Sequence, residues 1–467
     1  MTTVSGTAMH VGDATITILD PRDGSVAGTV REAGAAEVEQ AVAASRRAQP
    51  GWAQRDAAER SGFLHAAADA LQAGAAELAA LNARETGRPE DQALEGVLAG
   101  ASMLRQYAEL APVHRGHSLL GGRLAADYTV AEPRGVAALL TPWNDPVAVA
   151  AGLLGAALAT GNTVLHKPSE RCPQLGLRLG EMLATVLPAD VLITLTGGPA
   201  VGEALTGLPG IDVYAHVGSS ATGARIARAA AERGAHVVRE NGGNDPLLVD
   251  DGVDPVWAAG QAALGAFANS GQICTSVERI YVHRAVADAF SEALVVEARQ
   301  RNAGALLGPL VDDRLRREVH RQVDEAIAGG AVAAEGGALP EGPGSYYPAT
   351  VLLGCTESMA VMQEETFGPV APVRMVDSFE EGLELAAASR YGLAATVLTA
   401  DMEHAQRAIA GLDVGTVKVN AVFGGAPGGS AQPRRDSGHG FGYGPELLDE
   451  FCQVKVVHLG LPGGATR

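Results

Sequence analysis

Basic residues are in short supply in this chain. Only 35 Lys and Arg stand against 54 Asp and Glu, a net charge of −19 over 467 residues. Such an acidic balance repels phosphate backbones and anionic headgroups. It argues against nucleic acid or a membrane surface as partner, and leaves open a local site for a single nucleotide. Cysteine is scarce as well. The four present, Cys172, Cys274, Cys355 and Cys452, show no CxxC spacing and no accompanying histidine cluster. A disulfide scaffold and a structural zinc site are thereby excluded, no metal is expected, and a reducing compartment is the default. Aromatic residues make up only 4% of the chain, so large apolar anchors are few and abundant Ala and Gly must pack helices closely. The longest apolar run, Val147 to Leu158, is too short to span a bilayer. The opening Met1-Thr2-Thr3-Val4-Ser5 has neither the basic nor the apolar region of a signal peptide. Together these absences predict a cytoplasmic protein. Its length predicts two or three domains.

What is present is alternation. Residues 13–30 read as a hairpin around a Pro/Asp/Gly turn, and 33–49, 56–85 and Pro89 to about Leu110 read as helices. His117–Glu132 reads as a two-stranded excursion with little face to bury, hence an arm that pairs with another domain or subunit. From Gly135 short apolar runs alternate with helical stretches: strands at 136–140, 163–166, 191–195 and 212–217, helices near 173–186, 201–206 and 221–232. Asp145 and Pro146 suit the first positions of a further helix. A second alternating stretch runs from near 255 to about 445, and Gln453–Leu459 reads as a final strand. The expected class is α/β: a Rossmann-like parallel-sheet domain, a second α/β domain and a small β arm.

Several strings could carry chemistry, and each taken singly also fits a plain structural role. Cys274 sits in Asn269-Ser270-Gly271-Gln272-Ile273-Cys274 as either a buried filler or a nucleophile, with Gly271 allowing close backbone approach. Gly197–Gly202 and Val217-Gly218-Ser219-Ser220 follow strands and open helices, where free N–H groups cap or hold a phosphate. Lys167-Pro168-Ser169-Glu170 could bracket a ribose, and its acid disfavours a 2′-phosphate. Glu240 before Gly242-Gly243 could serve as a general base, and Asn144 at a helix entrance as an oxyanion donor. Glu365 and Phe367 would point the same way on an extended segment, one toward a sugar hydroxyl and the other against a flat heterocycle.

Taken in order, PWN at 142–144, KPSE at 167–170, GS at 218–219, ENGG at 240–243, GQIC at 271–274 and EETFGPV at 364–370 resemble the aldehyde dehydrogenase superfamily over nearly the whole chain. The resemblance implies that Cys274 attacks the aldehyde carbon, that Asn144 and the Cys274 N–H hold the oxyanion, and that Glu240 activates the water that hydrolyses the thioester. It implies NAD in preference to NADP, with Lys167, Ser169 and Glu170 at the adenine ribose. Trp143, Gly198, Gly202, Gly218 and Ser219 would lie near adenine and pyrophosphate, and Glu365 and Phe367 at the nicotinamide. Implied domains are a cofactor domain at 1–113 and 134–242, a catalytic domain at 243–445, and an oligomerisation arm at 114–133 and 446–467 in a homodimer or homotetramer. Some positions depart from the family pattern: Asn241, Asn244, His216-Val217 and Phe441-Gly442, the last lacking a usual acid. A coenzyme A-acylating enzyme and a non-catalytic member of the fold stand as alternatives. The expected substrate tunnel, 104–117 and 426–440, mixes Tyr107, His114 and His117 with Arg434 and Arg435. Aliphatic, aromatic and acidic aldehydes all remain open.

Overall fold

The strand Val136–Leu140 is buried at every position, as a strand covered by helices on both faces must be. It runs through the middle of a six-stranded sheet. In spatial order the strands are Gly438–His439, His236–Asn241, Val213–Gly218, Val136–Leu140, Thr163–Lys167 and Leu192–Thr194. All pair in parallel except Gly438–His439, which runs antiparallel against Arg239 and Glu240. The chain steps outward from Val136–Leu140 to Leu192–Thr194, then returns to the opposite side with Val213–Gly218. At such a reversal, the crevice beyond the carboxyl ends of the strands is the natural place for a ligand. The computed structural model describes residues 14–304, 306–425 and 429–460. Met1–Ser5, residues 426–428 of the expected tunnel and 461–467 of the expected arm lie outside them.

Side-chain alternation along Val213–Gly218 sorts two cores. Val213 and Ala215 join Trp52, Leu104 and Leu154 on one face, while Tyr214 joins Leu140, Leu165 and Ile226 on the other. The apolar run Val147–Leu158 lies within the buried helix Pro146–Ala159, and among the described residues no helix is long and apolar enough to cross a membrane. The single helix expected at 56–85 is two, Ala57–Ala73 and Ala75–Thr86, joined at Gly74. A side chain on Gly74 would meet Met182 at 2.6 Å, so the break lets Met182 pack against the backbone.

The second sheet has seven strands in the order Val332–Glu335, Thr350–Leu353, Val370–Val376, Val277–His283, Asp245–Val249, Ala394–Leu398 and Thr416–Val419. Only the Val332 edge is antiparallel. The excursion expected to seek a partner finds one in its own chain: Ala126–Pro133 pairs antiparallel with Cys452–Leu459 along its full length. Leu447, Leu448 and Phe451 are buried in the first sheet's core, so the segment that pairs with the excursion begins at Cys452.

Candidate active site

Four strands of the first sheet deliver side chains to one crevice. Val136–Leu140 leads into the turn that carries Trp143 and Asn144, Thr163–Lys167 ends on Lys167, Val213–Gly218 leads to Ser219, and His236–Asn241 carries Glu240 near its end. The second sheet supplies the opposite wall. Cys274 stands in the turn before Val277–His283, and Glu365 and Phe367 stand in the loop before Val370–Val376. Two cavities with shared walls result. The inner one, about 380 Å³, is lined by Asn144, Glu240, Cys274, Glu365 and Phe367, and the outer one, about 440 Å³, by Lys167, Ser169, Glu170 and Gly202. Trp143, Gly218 and Ser219 border both.

In the inner cavity the thiol of Cys274 faces Glu240, with Sγ 4.0 Å from Oε1. Burial pushes the Glu240 carboxyl up to about 7. It also pushes the Cys274 thiol well above its ordinary range, the Glu240 carboxylate adds to this, and the Lys418 ammonium opposes it. A carboxyl poised near neutrality beside this thiol is placed to act as a general base on a group held at the sulfur. The Asn144 amide donates to the Gln272 carbonyl at 3.1 Å. That bond ties Asn144 to the Cys274 turn and leaves its second N–H for a ligand oxygen. The main chain at Asn144 is held in turn by Arg88, whose guanidinium donates to the Asn144 carbonyl at 3.2 Å and pairs with Asp145 at 2.9 Å. Asp145 precedes the helix as expected but makes no side-chain cap, being engaged by Arg88 instead.

The outer cavity holds the ribose candidates. Lys167 Nζ lies 4.0 Å from Glu170 Oε2 and donates to the Pro168 carbonyl at 3.1 Å. Burial lowers the pKa of Lys167, opposed by Glu170. Ser219 is the N-cap of helix Ser220–Ala231 and accepts from the Thr222 N–H at 3.4 Å. Gly198 is not among the residues lining either cavity, and its N–H donates to Glu32 Oε2 at 2.9 Å. Glu365 and Phe367 meet the inner cavity from a bent rather than an extended segment, because Phe367 adopts φ +53°. The Phe367 ring stands edge-on to Trp143 at 5.5 Å, and the Arg171 guanidinium lies 5.0 Å from the Trp143 ring.

A residue that the sequence did not single out supports this loop. Glu278 accepts from Phe367 N at 2.8 Å, Thr366 N at 3.0 Å and Asn244 Nδ2 at 3.3 Å. Its neighbourhood in the strand, Val277-Glu278-Arg279-Ile280, sets an acid beside a base and carries no local signal of this role. The residues expected to shape a substrate tunnel make the following contacts. Arg434 and Arg435 both pair with Asp413 on the surface, His114 pairs with Asp449, and the Tyr107 hydroxyl donates to the Gly444 carbonyl. Among the described residues no group of three or more His, Cys, Asp or Glu could hold a metal ion.

Known proteins resemble this chain along nearly its whole length. The model of the aldehyde dehydrogenase family matches residues 9–457. The chain is 35% identical to the betaine aldehyde dehydrogenase of Cereibacter sphaeroides (strain ATCC 17029) over 464 residues, covering 96% of this chain and 94% of that one. The crystal structure of an NAD-dependent aldehyde dehydrogenase from Sinorhizobium meliloti superposes with a TM-score of 0.92 at 32% identity, covering 97% and 93% of the two chains. Betaine aldehyde dehydrogenase from Staphylococcus aureus, solved in complex with NAD+, gives 0.92 at 30% identity, covering 96% and 91%.

Proposed function

We propose, since the chain belongs to the aldehyde dehydrogenase family and is an NAD(P)-dependent oxidoreductase acting on aldehydes, that Cys274 is its nucleophile and Glu240 its general base. The observation that carries this reading is the 4.0 Å approach of Cys274 Sγ to Glu240 Oε1 inside a cavity that also holds Asn144 and Phe367. The residues fit a dinucleotide: two cavities share a wall, and a carboxylate and an ammonium stand at one end of the run. When bound, the nicotinamide supplies the hydride acceptor.

The chain's own residues account for the remainder. Cys274 loses its proton to solvent and bonds to the aldehyde carbon, and the free N–H of Asn144 stabilises the oxygen that gains charge. After oxidation Cys274 holds the acyl group as a thioester. Glu240 then takes a proton from water, the hydroxyl adds to the carbonyl carbon, and the C–S bond breaks to release the carboxylic acid and the thiol. An acceptor thiol such as coenzyme A would leave a general base at Glu240 without a task.

Glu170 beside Lys167 supports NAD over NADP, since a carboxylate repels a 2′-phosphate. The proposed division is a cofactor domain at 1–113 and 134–242, a catalytic domain at 243–445 and an arm at 114–133 and 446–467. The exposed apolar face of that arm supports a homodimer or homotetramer, and four free cysteines suit a reducing cytoplasm. The test is NADH formation over a panel of aldehydes, with product analysis in the presence and absence of coenzyme A, for the wild type and Cys274→Ala. Acyl-CoA as the main product, or equal rates for both proteins, would refute the assignment.

A further inference from the structure

We propose that the aldehyde taken by this site carries a hydroxyl group on its carbon chain, and that the Asp145 carboxylate selects it by accepting a hydrogen bond from that hydroxyl. The inference rests on the reading of Cys274 and Glu240 above and adds the substrate class.

The inner cavity is divided by what it shares. Trp143, Gly218 and Ser219 also border the outer cavity, so that end belongs to the cofactor. Asp145, Val149 and Ile273 line the inner cavity but not the outer one. With a cofactor in place, they are wall left for the tail of an aldehyde bound at Cys274. Helix Pro146–Ala159 puts Asp145 there. The Asp145 main-chain carbonyl accepts from the Val149 N–H at 3.1 Å, so Asp145 and Val149 stand one turn apart on the same face. The Asp145 side chain makes no cap bond. One of its oxygens accepts from Arg88 at 2.9 Å. Gly96 leaves room for that oxygen, since an added Cβ there would meet it at 2.7 Å. Among the described residues the other oxygen accepts no hydrogen bond, and the side chain is 39% exposed.

Charge separates the substrate classes. Arg88 neutralises Asp145, and Arg171, the other cation lining this cavity, pairs with Asp312 at 2.9 Å. An anionic tail therefore finds no unpaired cation. A cationic tail meets a carboxylate already neutralised, and the Trp143 ring is already covered by the Arg171 guanidinium. An alkyl tail would strip water from the second Asp145 oxygen and put no donor in its place, which is unfavourable for a carboxylate. A hydroxyl satisfies that oxygen without adding charge, and hydrogen bonds to an ionised acceptor are the stronger kind.

Glycolaldehyde and propanal test this, because one has a hydroxyl where the other has a methyl group. Their kcat/KM values are measured by NADH formation for wild type, Asp145→Leu and Asp145→Asn. Comparing the same two aldehydes across the three proteins cancels their different hydration in water. The glycolaldehyde-to-propanal ratio is expected to fall by about ten- to a hundredfold in Asp145→Leu. Asp145→Asn keeps an acceptor oxygen without its charge, and a fall of about threefold is expected. An unchanged ratio in Asp145→Leu overturns the proposal, and so does an unchanged ratio in Asp145→Asn should the leucine variant not fold. Wild-type preference for betaine aldehyde or succinic semialdehyde over glycolaldehyde overturns it too. In each of these cases the enzyme still turns over, and the roles of Cys274 and Glu240 stand. Wild-type protein that forms no NADH with any of the four aldehydes overturns those roles and the substrate class together.

Discussion

A Cβ atom built on Gly271 would lie 2.1 Å from the carbonyl oxygen of Gly368. The turn that presents Cys274 therefore rests directly on the loop that presents Phe367, backbone on backbone. Gly271 also has φ +76°, which L side chains adopt only with strain. Gly271→Ala is expected to destabilise the protein by on the order of 2–4 kcal/mol and to lower Tm by about 5 °C. The surviving folded fraction should turn over more slowly, because nucleophile and ring shift together. Thermal unfolding and steady-state rates check this. Wild-type values for both would mean that the two loops are not held in this contact.

Separating the roles of Cys274 and Glu240 needs rapid kinetics. Cys274→Ala should abolish NADH formation altogether. Glu240→Gln should leave a first rapid burst of NADH and slow later turnovers by about 10²–10³-fold, because thioester hydrolysis loses its base. Stopped-flow absorbance resolves the two phases. If Glu240→Gln erased the burst as well, the carboxylate would be acting earlier than water activation.

The Glu240 carboxyl, pushed up to about 7 by burial, makes two linked expectations. As base it must be ionised, so turnover limited by hydrolysis should rise with pH, about tenfold per unit below 7, and level off above. For stability the sign is the reverse. A folded-state value raised from 4.5 means that the folded protein holds this proton more tightly than the unfolded chain. That contribution is complete below pH 4.5 and is lost as pH climbs through 7. Glu240→Gln, which carries no charge to bury, should therefore gain about 1–3 kcal/mol over wild type at pH 8 and almost nothing near pH 4. Denaturant melts at the two pH values measure the difference. A gain of the same size at both would remove the titration argument.

The parallel strand Val136–Leu140 was legible because a fully buried strand is written as an unbroken aliphatic run. So was the turn at Gly218–Ser219, where a capping serine follows a strand. Asp245–Val249 escaped notice although it lies at the heart of the second sheet, because it opens with Asp and Pro, both poor strand formers. The edge pair Val332–Glu335 and Thr350–Leu353 is short and weakly patterned. Ordered motifs located most of the site, but Gly198 shows their limit. A glycine before a helix looks the same whether it meets a phosphate or, as here, the side chain of Glu32. Glu278 was invisible for the opposite reason: its task is to accept bonds from a loop 88 and 89 residues further along the chain, and no local pattern records that.

Glu278 invites its own test. With two loop N–H groups and the Asn244 amide as donors, Glu278→Ala would leave all three facing an empty acceptor site. Each unsatisfied buried group costs about 1–3 kcal/mol, so a sharply lowered Tm is expected. Glu278→Gln keeps one carbonyl and should be milder. In that variant Phe367 loses its fixed position, and KM for NAD+ should rise by about tenfold while the reactivity of Cys274 toward a small alkylating reagent stays near wild type. Equal losses in both readouts would show Glu278 supporting the whole site rather than the 366–367 loop.

The arm offers the last expectation. Val454 and Val456, 71% and 67% exposed, stand two residues apart on the strand Cys452–Leu459, and so share a face of the three-stranded sheet. Tyr128 and Leu459, on the opposite face of the same sheet, are also open to solvent. Among the described residues the strand is moreover a sheet edge, with unpaired backbone groups along its outer side. An apolar face and an open edge together invite a second copy of the chain, through side chains, main chain or both. Val456→Asp places a charge where that contact would be driest, and is expected to shift the particle mass measured by light scattering downward to the monomer. Lys455→Ala, which removes only the ion pair with Glu132, should leave the mass unchanged. A Val456→Asp protein with the mass of the wild type would mean that this face does not hold the subunits together.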